Sequence, residues 1–241
     1  MSPASFLDNL DADSEWLAEV GSEGDPALSV PACPGLTLGQ LVRHVGVIYN
    51  LVSTWVTEGH RPAHAPRPAS GRSPAEWLGD GRTRLLAVLS ARAPEEAAST
   101  WSPSEQTIGF WHRRMAHESA IHRVDAEAAL SLAPRPVEPS LATDGTGEIV
   151  SLWLGTRLGT DVGGGGRIVT LDDGSGRWHV ALHEHIVEYA TDGVAADATV
   201  SADPDALYRW LWGRAPLEAV EVDGDVRLAV ELRAALARAT Q

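Results

Sequence analysis

The sequence contains no lysine. All 19 of its basic residues are arginine, against 33 Asp and Glu, which gives a formal net charge of −14. A chain this acidic, with no arginine-rich stripe, is repelled by phosphate backbones and anionic lipid surfaces; nucleic-acid and membrane-surface roles are therefore not expected. There is a single cysteine, Cys33, which rules out an intrachain disulfide. No run of about 20 apolar residues is available to span a membrane. The opening MSPASFLDNLDADSEW lacks the basic and apolar regions of a secretory signal, and a cytoplasmic protein is the expectation. Asparagine is also scarce, occurring only at Asn9 and Asn50; together with abundant Ala, Gly, Pro and Arg this fits a GC-rich coding sequence and carries no function.

Hydrophobic residues make up 44% of the 241 positions, and nine tryptophans need burial, so a folded core is expected. The length exceeds the usual domain mode of about 100–150 residues, which favours two domains. The first part patterns as long helices. Ser2-Pro3 opens one over 2–20, and Thr37-Leu38-Gly39-Gln40 is a capping box that starts a second, running to about residue 58. Ser73-Pro74-Ala75-Glu76 is another capping box, opening a helix to about Arg92. A fourth helix covers about 107–132 and a weaker fifth about 140–158. Helices joined by short links predict an up-and-down bundle over 1–160. The Pro- and Gly-rich stretch 59–72 reads as a loop, mobile or at the rim of a site.

Beyond the glycine run Gly163–Gly166 the pattern changes. RIVTLDD and RWHVALHEH form a predicted hairpin, ATVSAD a further strand, and Asp203-Pro204 caps a helix; a short strand and a last helix follow. Residues 161–241 are therefore expected to form a small α+β domain, and the whole chain to be an α+β protein of two domains.

Candidate chemistry lies in the histidines. Glu118 and His122 sit at i and i+4, on one face of the fourth helix and one turn apart, as two ligands of one ion require. His44 falls on or beside the apolar face of the second helix, three residues after Leu41 and four before Ile48. Metal sites in bundles are built from such inward-facing side chains. Two His and one Glu suit zinc, and three protein ligands leave a position open for catalysis. His117 and His122 are five apart and face differently, so this is not the zincin motif. Spacing alone equally allows a hydrogen-bonded core histidine and a surface Glu–His pair. Arg114 and Arg123 read as salt-bridge partners, for instance with Asp125 or Glu127, and Cys33 as a packed link residue. His179, His183 and His185 alternate along one strand and share a face. His60 and His64 lie in the loop and are expected to be solvated.

The stretches VPACPGLTLGQLVRHVG and FWHRRMAHESAIHRVDAE resemble the mycothiol-dependent maleylpyruvate isomerase family, within the DinB-like bundle superfamily. ALYRWLWGR and VEVDGDVRLA resemble the sterol-carrier-like second domain of that family, so the resemblance spans nearly the whole chain. One departure is Leu36, where a Trp often follows Cys-Pro-Gly; it bears on packing. The resemblance implies that His44, Glu118 and His122 bind zinc or another divalent metal, with mycothiol as cofactor. It also implies that Arg214 holds the cofactor and an anionic substrate and serves catalysis; the alternative for Arg214 is a cap on a helix C-terminus. The partners implied are mycothiol and a small-molecule substrate, with a monomer or weak dimer expected. The implied reaction is addition of an activated thiolate to an electrophilic carbon, leading either to cis–trans isomerisation or, as an S-transferase, to release of the adduct. A non-catalytic ligand carrier and metal-assisted hydrolysis are the competing classes, the latter lacking an identifiable general base.

Overall fold

Each long helix of the N-terminal half starts on a cap that its sequence supplies. The computed structural model describes residues 1–154, 165–182, 187–189 and 195–239. Helix α1 (Pro3–Glu23) begins where the Ser2 side chain accepts from the Ser5 amide, and it buries Phe6, Leu10, Ser14 and Leu17 in one stripe. Helices α2 (Leu38–Glu58) and α3 (Pro74–Ser90) both start on complete capping boxes, Thr37 with Gln40 and Ser73 with Glu76. Helix α4 (Ile108–Ala129) is capped by Thr107.

These helices form one compact unit, Met1–Arg135. Helix α1 packs on α3 and α4, α2 packs on the same two, and α1 touches α2 only slightly. The spatial order is thus α1–α3–α2–α4, and the chain crosses the bundle between its first two helices. The links 24–37, 59–73 and 91–107 are longer than the short connections expected. Two of them are stiffened by isolated antiparallel bridges, Ser29 to Thr37 and Ala97 to Thr107. The stretch 59–73 has no regular structure, as its prolines predict.

The second unit is Pro136–Gln241. Its start corrects the expected boundary at residue 160. Helix α5 (Pro139–Glu148) was expected to be the fifth helix of the bundle; it belongs instead to the second unit, where it packs on α6 (Pro204–Leu211). The Val137 amide donates to Asp205 Oδ1 at 2.9 Å, and Thr143 donates to Asp173 Oδ2 at 2.6 Å. The punctuation that marks the boundary is Pro134, Pro136 and Pro139, not the glycine run. Helix α5 continues into a π-helical turn, Ile149–Leu154.

The strands are β1 (Arg167–Asp172), β2 (Arg177–Leu182), β3 (Val187–Tyr189), β4 (Ala198–Ser201) and β5 (Glu221–Gly224), and the sheet order is β3-β2-β1-β4-β5. The expected hairpin is present, with Asp172 opposite Arg177, whereas β4 lies parallel to β1. Helix α7 (Val226–Ala239) closes the unit and buries Leu228, Leu232 and Leu236. No helix among the described residues is long and apolar enough to cross a membrane.

Helices α2 and α3 meet through glycines. A Cβ on Gly46 would lie 2.6 Å from Trp77 Cδ1 and 3.1 Å from the Leu78 amide nitrogen; one on Gly81 would lie 2.6 Å from Asn50 Nδ2. Gly79 on α3 has open space around it. Gly46→Ala is therefore expected to cost about 1–3 kcal/mol through overpacking, whereas Gly79→Ala should gain about 0.4–1 kcal/mol through helix propensity and unfolded-state entropy. Urea denaturation of both variants checks this; equal effects would show that the interface yields.

Candidate metal centre

Helix α4 is buried on nearly every side and yet carries His112, Arg114, His117, Ser119, Arg123, Asp125 and Glu127 among its buried residues. Polar groups placed there must find partners, and those partners shape the site.

Glu118 and His122 lie one turn apart on α4, as their spacing predicts. Glu118 Oε1 is 3.3 Å from His122 Nε2 and 3.6 Å from His44 Nε2, which reaches it from α2. The two imidazoles stand edge to face, with centroids 5.4 Å apart. One ligand atom from each of the three residues lies within 4.8 Å of the others. The structure thus brings together all three residues singled out in the sequence. His44 is 45% exposed and His122 13%, so the cluster opens on the His44 side.

The atoms that face away from the cluster are also held. His122 Nδ1 donates to Asp125 Oδ2 at 2.9 Å, so that when Nε2 loses its proton its lone pair faces the cluster and is free for a cation. The same Asp125 oxygen accepts from Cys33 Sγ at 3.5 Å, tying the link before α2 to α4. Arg114 Nη2 donates to Glu118 Oε2 at 3.3 Å, leaving Oε1 toward the histidines. In the metal-free protein, burial raises the Glu118 carboxyl, but hydrogen bonds from His122 and His44 and the charges of His122 and Arg114 outweigh it and hold the group well below its ordinary value. Burial lowers His122, but hydrogen bonds to Asp125 and Glu118, with their charges, raise it to about 9.

Asp125 is the residue that sequence reading missed. It was offered there, beside Glu127, only as a salt-bridge partner for the arginines; Arg123 does pair with Glu127 at 2.9 Å, and also with Asp13 of α1 at 2.7 Å. The signal was present: Asp125 is three residues after His122, on the same face. Tyr49 of α2, which hydrogen-bonds Ser119, was not anticipated either. His117 is buried, edge-on to the Phe6 ring at 6.2 Å and away from the cluster.

Arg214 lies in the second unit, just after α6. Its Nη1 donates to the Trp212 carbonyl at 2.6 Å, at the helix C-cap. His179 Nδ1 shares a hydrogen bond with Thr170 Oγ1 across the hairpin at 2.8 Å; His183 and His185 lie outside the described residues. Loop residues His60 and His64 are exposed, as expected.

Fold and cluster together define a two-unit α+β protein whose helical unit presents a His–Glu–His candidate cation site. Residues 7–127 match the family model of the mycothiol maleylpyruvate isomerase N-terminal domain, and the chain belongs to that family. The fold is shared with the crystal structure of the mycothiol-dependent maleylpyruvate isomerase, at a TM-score of 0.58 and 16% identity over 92% of this chain and 93% of that one. A mutant of that enzyme gives a TM-score of 0.61 at 14% identity, with the same coverage. No curated protein sequence matches the chain.

The Asp125 contact generates a prediction. Removing its charge loosens His122 and weakens its basicity, so Asp125→Asn should lower zinc affinity about 10–100-fold, as read by competition with a chromophoric chelator. In the metal-free protein His122 is raised on folding, so its stabilising contribution is complete below its ordinary value and is lost as pH rises through about 9. Zinc uptake near neutral pH should accordingly release a proton from His122, measurable in weakly buffered dye solution. Unchanged zinc affinity in Asp125→Asn would remove Asp125 from the centre.

Proposed function

We propose that this protein is a divalent-metal enzyme that uses mycothiol, with zinc as the first choice of ion, for maleylpyruvate isomerase-like chemistry on a small electrophilic molecule. The observation that carries this reading is the convergence of His44, Glu118 and His122, each with its other polar atom or its helix position already fixed. The donor set fits the ion: two imidazole nitrogens and a carboxylate oxygen are borderline ligands, and three of them leave a coordination position open. The family membership and the name of the structural neighbour support mycothiol as the thiol.

When bound, such an ion supplies positive charge that favours thiolate over thiol. The chain's residues do the rest. Asp125 holds His122 with its Nε2 forward, and Arg114 turns one Glu118 oxygen toward the histidines. The exposed edge of His44 leaves the approach open to a sulfur and a substrate. We assign to Arg214 the role of cation for an anionic substrate or for the cofactor. Addition of a thiol sulfur to an unsaturated carbon makes a double bond rotatable, and elimination after rotation gives the trans isomer.

Metal content and turnover test the reading. His122→Ala should lose most bound zinc and reduce mycothiol-dependent maleylpyruvate isomerisation by at least about 100-fold, since two ligands bind weakly. His117→Ala, one residue before Glu118, should keep its zinc. Elemental analysis of both variants decides; equal loss in the two, or full zinc in His122→Ala, overturns the ligand set. Arg214→Ala should raise KM more than it lowers kcat.

A further inference from the structure

The end of α6 is held by two arginines. Gly213 has φ 75°, the left-handed conformation that suits a residue just past a helix. Its amide donates to the Trp210 carbonyl at 2.9 Å, and the Arg214 amide donates to the Arg209 carbonyl at 2.7 Å, so the turn that ends α6 presents Arg214. Arg233 reaches this turn from α7. Its Nε donates to the same Trp210 carbonyl at 2.7 Å. Its head lies against Gly213: a Cβ there would be 2.6 Å from Arg233 Cζ and nearer still to Nη2. Glycine alone fits both that backbone and the guanidinium that covers it.

Helix capping does not account for the pair. The Arg214 side chain already bonds the Trp212 carbonyl, and one cation serves a helix C-terminus. A second cation adds repulsion. Burial first, and then the charge of Arg214, lower Arg233 from the ordinary guanidinium value. The bond that Arg233 makes is to a neutral carbonyl, not to a carboxylate that would offset this cost. What an arginine brings here is its rigid planar fork, which meets the carbonyl with one nitrogen and covers Gly213 with another. The turn and Arg233 border a cavity of about 260 Å³, so packing does not close over the turn on that side. The hold on it falls to the Arg233 contacts.

We propose that Arg233 is a positioning residue for Arg214, an assignment that rests on the role the enzyme reading gives to Arg214. From α7 it clamps the turn through the Trp210 carbonyl and the face of Gly213, and so fixes where the Arg214 side chain starts.

The test uses the full-length protein. Arg233→Met keeps an apolar stem and leaves the Trp210 carbonyl its bond from Gly213, so the fold should persist. Loss of one hydrogen bond should speed amide hydrogen exchange about three- to tenfold at Gly213 and Arg214, and leave Val169 and Leu171 of β1 unchanged. Unchanged exchange at the turn, or equal acceleration in β1, would overturn the clamp. In mycothiol-dependent isomerisation of maleylpyruvate by zinc-loaded protein, Arg233→Met should raise, about three- to tenfold, the same KM that Arg214→Ala raises, with kcat nearly unchanged. In the Arg214→Ala background it should raise that KM no further. Losses that multiply in the double variant would show Arg233 acting apart from Arg214 and would overturn the positioning role. Arg233→Lys keeps the charge without the fork and should recover only part of the effect; full recovery would overturn the clamp as well. If Arg214→Ala leaves KM unchanged, or no turnover is found, the role given to Arg214 fails, and the exchange measurement still decides whether Arg233 clamps its turn.

Discussion

The structure of the helical unit depends on one constraint: α4 is buried on nearly all sides while carrying charge. A buried ion without a partner costs several kcal/mol, so charged groups on α4 draw in partners from other segments as well as from α4 itself. Arg123 takes Asp13 of α1 and Glu127 on its own helix, and Glu127 also accepts from Arg135 as the chain leaves the unit. Burial raises the Asp13 carboxyl, and the charges of Arg123 and Arg135 oppose that rise. Glu118 takes His44 of α2, and Ser119 takes Tyr49 of the same helix. The bundle is held together by these polar contacts as well as by its apolar stripes.

The candidate centre is one branch of that network. Its three residues approach one another because α4 needs counter-groups and α2 supplies one. Asp125 then acts twice through a single oxygen, on His122 and on Cys33. The second contact matters for the framework. The turn bearing Cys33 is closed by Val30–Leu36 and Leu28–Leu38 backbone bonds, and it leads directly into the Thr37 cap of α2. The start of the helix that carries His44 and the residue that orients His122 are thus joined through a few covalent and hydrogen-bonded steps.

Much of this was legible in the sequence where the determining partner is close in the chain. Both capping boxes, the Ser2 and Asp203 caps, the hairpin with its Gly-Ser-Gly turn and the Glu118–His122 spacing depend on residues a few positions apart. Position relative to Leu41 and Ile48 placed His44 near its helix's inner face, but its partner became specific only through family resemblance. What escaped depends on distant partners. Cys33 and Asp125 are 92 residues apart, and Asp13, the partner that α1 gives to Arg123, lies more than a hundred positions before it. The unit boundary escaped because a glycine run looks like a hinge, whereas α5 is claimed by α6 and the β1–β2 turn through contacts that no local pattern announces.

The division at Arg135 also has a consequence for synthesis. His44, Glu118, His122, Asp125 and Cys33 all lie in Met1–Arg135. A chain made from its N-terminus generally folds its leading domain first, and the residues of the candidate site are all synthesised before Arg167, the start of the first strand. The second unit has no such head start. Its sheet joins β1 to β4 in parallel, and α5 must wait for α6 from beyond both strands. Closing such long loops before contacts form is slow. The bundle that carries the candidate site is thus the unit whose whole sequence exists first, and the sheet must be assembled from segments made after it.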